Sequence, residues 1–214
     1  MASPVSELKT PLFLLAMPQI LDPFFRHSVV LLVHHDAVEG SLGFIVNRPT
    51  ELKLKDILQD LEIPWQSEES PFAFFGGPVR PEVGTLLFLD KDQQAPEPKA
   101  PEAATADGEA EVEDPLDRQI CPGVSASQNV SDLERLEARP DGTFRLYLGY
   151  AGWGEGQLEH EILRNDWLIA PVLTDLIFSG SPDEAWRSAL VSVGVNPDQL
   201  PMWTHHGDSE PAAN

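Results

Sequence analysis

The sequence predicts a single α+β domain, and three observations carry that prediction. Apolar runs from Leu12 to Ala16, Ser28 to His34 and Ser41 to Asn47, the last two with β-branched residues, have the length and composition of strands. Leu54, Ile57, Leu58 and Leu61 instead repeat at i, i+3, i+4 and i+7, the spacing of one buried helical stripe. The two kinds of segment follow one another irregularly, without the strict βαβ rhythm of a parallel sheet, and no internal repeat interrupts them. A chain of 214 residues with 42% apolar side chains can fill one core.

In chain order, Leu12 to Ala16 is the first strand. Ser28 to His34 and Ser41 to Asn47 form a hairpin of central strands about the turn Asp36 to Gly40, because runs apolar on both faces must be covered on both. The helix beginning at Leu54 stops at Pro64. Phe72 to Phe75 and Thr85 to Leu89 are strands joined through Gly76-Gly77-Pro78, where paired glycines permit dihedrals other residues avoid. Ile120 to Ala126 is one further strand. Ser131-Asp132-Leu133-Glu134 has capping-box spacing and opens a short helix towards Ala138, after which Pro140-Asp141-Gly142 turns the chain. From Phe144, Leu146, Leu148 and Tyr150 alternate with Arg145, Tyr147 and Gly149, the period of a strand with one buried face. Leu158, Ile162 and Leu163 give a narrow helical stripe, and Trp167 to Ile169 returns as a strand. Ser181-Pro182-Asp183-Glu184 then supplies an N-cap, a first-turn proline and an acid for a last helix that buries Ala185, Trp186, Ala189, Leu190 and Val193 before stopping at Gly194. Thr204 to Asn214 has no core pattern and is expected to fray.

Composition narrows the function classes. The formal net charge is -21. Residues 90–118, rich in Pro, Ala and Glu, read as a disordered surface insertion that holds ten acids against three bases. That insertion accounts for seven of the net charges, so fourteen belong to the rest of the chain. An acidic body repels phosphate backbones and anionic membrane surfaces, which argues against direct nucleic-acid binding. A DNA reading would need Arg26, Arg48, Lys53, Lys55 and Arg80 on one face, and no helix-turn-helix is recognisable. The lone Cys121 precludes an intrachain disulfide and fits a reducing compartment. With no basic start and only a short apolar run from Leu12 to Met17, the expectation is a cytoplasmic protein without a membrane anchor.

Several blocks together carry a resemblance. Ala16-Met17-Pro18, Asp22-Pro23-Phe24-Phe25 with Ser28-Val29-Val30, and Gly43 to Pro49 are followed by Gly76-Gly77-Pro78-Val79, Leu148-Gly149-Tyr150-Ala151-Gly152-Trp153 and Gly156-Gln157-Leu158-Glu159 with Glu161, Ile162 and Trp167. In that order, over roughly Leu12 to Val195, the chain resembles the AlgH/YqgE family of bacterial proteins. The resemblance implies an α+β fold whose bifurcated mixed sheet curls into a pseudo-barrel with flanking helices. It implies little about activity: some members are labelled transcriptional regulators through a link to alginate production, and no catalytic residues carry over. The acidic insertion departs from the family pattern.

Candidate site residues gather around these blocks. Asn47 and Arg48 at a strand end suit a carboxylate or phosphate, although a turn and an ion pair are the commoner use of such residues. Gly76-Gly77 and the Gly152-x-Gly154-x-Gly156 run have the composition of an anion nest, but Glu155, Glu159 and Glu161 oppose a phosphate there, and neither run matches a P-loop or dinucleotide fingerprint. Tyr150, Trp153, Gln157 and Glu161 make the best candidate wall, since the last two lie four apart on one helical face. His34-His35-Asp36 alternates across a strand and cannot chelate one metal, His160-Glu161 lacks a second histidine at its spacing, and Cys121 lacks a cationic neighbour. No catalytic triad, cofactor motif or metal site is named. Two readings follow: an interaction or regulatory protein binding a protein or small ligand at Asn47, Arg48, Gly76, Gly77 and the Tyr150 to Glu161 region, or an enzyme or anion-binding protein with Arg48 as clamp and Glu161 as base.

Overall fold

The computed structural model of the chain describes residues 8–60, 62, 63, 65, 69–90, 118–137, 143–178 and 181–201. Most of the acidic insertion (91–117), the tail from 202, Leu61, Pro64, Ala138 and Pro140-Asp141-Gly142 lie outside the described residues, and the readings made of them with it.

The chain alternates between strands and short helices in the order β1 (Leu12–Ala16), β2 (Val29–Asp36), β3 (Gly40–Ile45), β4 (Pro49–Lys53), α1 (Leu54–Asp60), β5 (Phe72–Phe75), β6 (Val79–Leu89), β7 (Arg118–Cys121), β8 (Val124–Ser127), α2 (Val130–Glu137), β9 (Phe144–Trp153), α3 (Gln157–Leu163), β10 (Trp167–Ala170), α4 (Thr174–Phe178) and α5 (Pro182–Ser192). The sheet runs β10-β1-β2-β3-β9-β6-β8-β7, with β4 and β5 branching from it through β9. It curls into a half-barrel, the α+β architecture that the resemblance implied. No helix among the described residues is long and apolar enough to cross a membrane.

Strand period separates the two faces of this sheet. Phe13 and Leu15 of β1, with Val29, Leu31 and Val33 of β2, face one core, which α5 covers with Trp186, Ala189 and Leu190. Leu12, Leu14 and Ala16, with Val30 and Leu32, face the other, covered by Leu158 of α3. A third cluster lies under α1 and α2, where Leu54, Leu58, Leu133 and Leu136 pack on Leu86 and Leu146. Covering both faces is why these strands read as continuous apolar runs. The Trp186 indole N–H donates to the Ala16 carbonyl at 2.7 Å, so the largest ring of α5 is polar-satisfied inside the core.

β9 organises the sheet. Its first half pairs in parallel with β5 (Phe74 with Tyr147, Phe75 with Leu148) and antiparallel with β6, while its last residues pair antiparallel with β3 (Gly43 with Ala151, Ser41 with Trp153). The branch occurs where Gly76 and Gly77 cross the strand. A Cβ on Gly76 would lie 2.2 Å from the Gly149 carbonyl oxygen, and one on Gly149, whose φ is 68°, would lie 2.4 Å from the Gly77 oxygen.

Several expectations are corrected by this arrangement. The strand expected over Thr85 to Leu89 begins earlier, at Val79, and the two strands joined through Gly76-Gly77-Pro78 each pair with β9, the glycines crossing that strand. β4 was not anticipated, because its polar sequence and leading proline are edge-strand features without an apolar pattern. Ile120 to Ala126 is not one strand: Pro122 and Gly123 divide it into the β7–β8 hairpin. Helix α2 opens at Val130, one residue ahead of Ser131, so Ser131 sits inside the first turn rather than at the cap. On β9 it is Tyr147, not Tyr150, that is fully buried, because both sheet faces are covered there. Leu163 of α3 is 61% exposed, and the cap of α5 is made by the Ser181 carbonyl, not its hydroxyl. The brief helix α4 was also missed.

The glycine crossing makes a direct prediction. Gly149→Ala should lower the unfolding free energy by about 2 kcal/mol or more, since the substitution adds both a left-handed-backbone penalty and a clash with backbone. Urea denaturation checks it; a loss below about 0.5 kcal/mol would show that the crossing relaxes freely.

Candidate functional site

A groove opens where β9, α3 and β10 meet the loop from Met17 to His27. Strand β9 delivers Trp153, and α3 begins four residues later after Gly154-Glu155-Gly156. Gln157 and Glu161, one turn apart, therefore lie on one face beside Trp153. Trp167 starts β10 on the far side. The Glu161 carboxylate joins them: its Oε2 accepts from the Trp153 indole at 2.8 Å and from the Trp167 indole at 2.7 Å, and its Oε1 accepts from Gln157 Nε2 at 2.9 Å. The Gln157 side-chain oxygen in turn accepts from the Gly154 amide at 3.1 Å. Hydrogen bonds to a charged group contribute roughly 1.5–3 kcal/mol each, so this network fixes both ring orientations.

The loop supplies the opposite wall. Met17 donates its amide to the Asp166 carbonyl at 2.9 Å, and the Gln19 amide group donates to the Asn165 carbonyl, tying the loop to the α3–β10 turn. Asp22 Oδ1 accepts from the amides of Phe24 at 2.8 Å and Phe25 at 3.3 Å, a local turn that aims Phe25 at the groove. The Phe25 ring meets Trp167 edge-on at 5.8 Å between centroids and lies tilted against Trp153 at 6.3 Å. Trp153 and Trp167 are themselves perpendicular at 5.9 Å. The groove holds about 490 Å³, within the range of small-ligand sites, and is lined by Gln19 to Asp22, Phe25, Gly152, Trp153, Gln157, Glu161, Arg164, Asp166 and Trp167. Three carboxylates thus face one guanidinium, and that guanidinium is committed: Arg164 donates twice to Asp166, at 2.6 and 3.1 Å.

Of the residues singled out in the sequence, Trp153, Gln157 and Glu161 line this groove and five do not. Asn47 is a clasp: its oxygen accepts from the Val29 amide at 2.8 Å and its nitrogen donates to the His27 carbonyl at 2.9 Å. Arg48 lies outside the lining and donates to the Arg26 carbonyl at 2.5 Å, its basicity lowered by burial against a partial offset from Asp22. Gly76 and Gly77 are buried against β9, and the Gly76 amide and carbonyl are used by Leu148 and Ile45. Tyr150 packs over Gly152 and the main core. Arg48 and Trp153 nonetheless flank one turn. Phe24 stacks on Phe75 at 5.4 Å, Phe25 meets Trp153, and the Arg26 carbonyl receives Arg48.

The remaining motifs have structural uses. The Gly156 amide donates to the Ala37 carbonyl, and the Gly154 amide to Gln157, so neither is available as an anion nest. His35 Nδ1 shares a hydrogen with Ser41 Oγ at 2.8 Å, and Asp36 caps the hairpin by accepting from Val38 and Glu39. Burial pushes the Cys121 thiol up, away from nucleophilic reactivity. Asp22, Phe25 and Trp167 were not assembled into the site from sequence. The available signal was an aspartate directly before Pro23 and two phenylalanines, which marks a turn presenting rings.

Two outcomes follow. Glu161→Ala leaves two indole donors without an acceptor and should cost about 2–4 kcal/mol, whereas Glu161→Gln keeps an acceptor and should cost under half as much; paired denaturation curves check this. Burial first, then Arg26, Arg48 and Arg187, lowers the His27 pKa from 6.5. A depressed folded pKa means that the stability tied to neutral His27 is present above about 6.5 and is lost as pH falls through the folded value. His27→Gln should remove that part of the acid slope in melting temperature, and an unchanged slope would refute the assignment.

The chain matches the AlgH-like family model over residues 13–198. It is 39% identical to a UPF0301 protein of Methylococcus capsulatus over 91% of this chain and 94% of the relative, and 35% identical to one of Thioalkalivibrio sulfidiphilus over 86% and 89%. Its fold is similar to the solution structure of AlgH from Pseudomonas aeruginosa, with a TM-score of 0.64 and 28% identity over 96% of this chain and 98% of that one. A crystal structure of a Corynebacterium diphtheriae protein, 20% identical over 92% and 91% with a TM-score of 0.63, shares the fold alone. With a matched span reaching from β1 to the turn after α5, the chain belongs to the AlgH-like family.

Proposed function

We propose that this chain is a non-enzymatic interaction or regulatory protein whose partner docks in the groove between Trp153, Trp167, Phe25 and Glu161. The observation that carries the reading is the state of Glu161. Three of the carboxylate's about four acceptor positions are taken by Trp153, Trp167 and Gln157, which makes it a strut holding a shaped aromatic surface. A general base needs an oxygen within reach of substrate and free to receive a proton; this one is spent on orientation. The anion-clamp alternative draws no support from Arg48, which lies outside the groove lining and is engaged by a backbone carbonyl.

A thermal-shift screen of nucleotides, carboxylic acids, amines, short peptides and metal salts tests the reading, run on the wild type, Trp153→Phe, Gln157→Ala and Arg48→Ala. A ligand at a hundred times its Kd stabilises by about 2.7 kcal/mol. The expected pattern is a hit whose shift shrinks in the two groove variants and persists in Arg48→Ala. A hit abolished by Arg48→Ala alone, or one that is chemically converted on incubation, would overturn it.

A further inference from the structure

Resting on the groove as the binding surface, we infer that its occupant is a segment of a partner protein that lays an arginine or lysine side chain along Phe25 and against the Asp22 and Glu161 carboxylates. The groove offers two kinds of surface to a ligand. Its aromatic wall is Trp153, Trp167 and Phe25; the two indoles are only 6% and 5% exposed and pack on each other, so the partly exposed Phe25 is the ring with surface to offer a cation. Its polar groups are predominantly acceptors. Asp166 is neutralised by Arg164, but Glu161 and Asp22 receive their hydrogen bonds from neutral groups in the groove: indoles and Gln157 for the first, backbone amides for the second. Neutral donors stabilise a carboxylate without cancelling its charge, so the groove keeps the Glu161 charge, and an Asp22 charge partly offset by Arg48, beside its aromatic wall. Asp22 Oδ2 meets no hydrogen-bond donor among the described residues, and with Asp22 exposed on the rim it is available to a ligand.

The same features disfavour an anion. Arg164 is committed to Asp166, and no other basic side chain lines the groove, so an incoming phosphate or carboxylate would meet the Glu161 charge and an Asp22 charge only partly offset by Arg48 behind it. The rim argues for a chain segment over a free small cation. Leu21 and Phe24, on the turn that carries Asp22, are 43% and 46% exposed. They extend an apolar ledge past the charged groups, which suits residues flanking a basic side chain and would be left uncovered by a lone ion. The charge of the whole chain, -21, adds a long-range field that draws a basic segment in.

The probe is a capped pentapeptide with a central arginine between two leucines, compared with analogues in which the arginine is replaced by lysine, citrulline or glutamate, and with free argininamide. Binding is read by calorimetry and by tryptophan fluorescence, with Trp153→Phe and Trp167→Phe assigning the signal. The arginine peptide is expected to bind at least about tenfold tighter than its citrulline isostere, to weaken several-fold in Asp22→Asn and Glu161→Gln, and to weaken as salt is raised. Asp22→Asn keeps the turn-capping oxygen, so it reports on charge even if Glu161→Gln perturbs the fold. Equal affinity for the arginine and citrulline peptides overturns the cationic assignment while leaving the groove as a binding surface. Tighter binding of the glutamate peptide overturns it in favour of an anion site, and argininamide binding as tightly as the peptide overturns the chain-segment assignment. Silence from every peptide, together with groove-dependent hits of another chemistry in the thermal screen, overturns this inference alone; silence in both sinks the groove reading as well.

Discussion

The close crossing of the Gly76-Gly77 segment over β9 is the constraint on which the rest of the structure depends. With no side chains to hold them apart, the backbones approach until an added Cβ at Gly76 or Gly149 would lie far inside van der Waals contact with a carbonyl oxygen. That approach lets β9 take β5 and β6 as neighbours along its first half and exchange β5 for β3 along its second. A flat sheet could not make that exchange, and the branching and curl follow from it. It also sets where β9 ends, and Trp153 at that end is the first wall of the groove.

From Trp153 onward, stability and site share the same atoms. Helix α3 spans Gln157–Leu163, seven residues, too few to persist on their own. It is held by burial of Leu158, by the Gly156 amide on the Ala37 carbonyl, by the approach of Glu159 to His35 at 3.8 Å, and by the Glu161 bonds to two indoles. Three of those ties reach back to the β2–β3 hairpin, β9 or β10. The helix is thus positioned by tertiary contacts, and its polar face is oriented towards the loop from Met17 to His27 as a consequence. A surface arranged this way is rigid before any partner arrives, which reduces the ordering cost of binding.

What the sequence made legible was whatever local periodicity decides. β1 and α5 were found with nearly their observed limits, since an unbroken apolar run and an i, i+3, i+4 stripe each have one structural solution. Pro49–Lys53 escaped because nothing in a polar edge strand distinguishes it from a loop, and Tyr147 escaped because the alternation rule assumes one solvated face where β9 has none. The site divided along the same line. Gln157 and Glu161 could be paired from helical spacing alone. Phe25, Asp22 and Trp167 come from segments far apart in the chain, and only the sheet brings them together. Asn47, Gly76 and Gly77 stood out for a different reason: backbone that must be clasped or closely approached demands particular residues as strictly as a ligand does, and the two demands look alike in a sequence.

The location of the charge separates the groove from the rest of this acidic chain. The acidic insertion leaves the sheet between β6 and β7, and β7 is the strand at the edge opposite β10, which carries Trp167. The groove's own lining holds Asp22, Glu161 and Asp166 against one Arg164, and charges within a Debye length of about 8 Å dominate the local field. The negative character of the groove therefore belongs to Asp22 and Glu161, held there by an Asx-type turn and by two indoles. A carboxylate stabilised by neutral donors keeps its full attraction for a cation, whereas one paired to arginine, as Asp166 is to Arg164, has already given it up. The choice of partners for these three acids, more than their number, is what leaves this surface electrostatically open to a basic group.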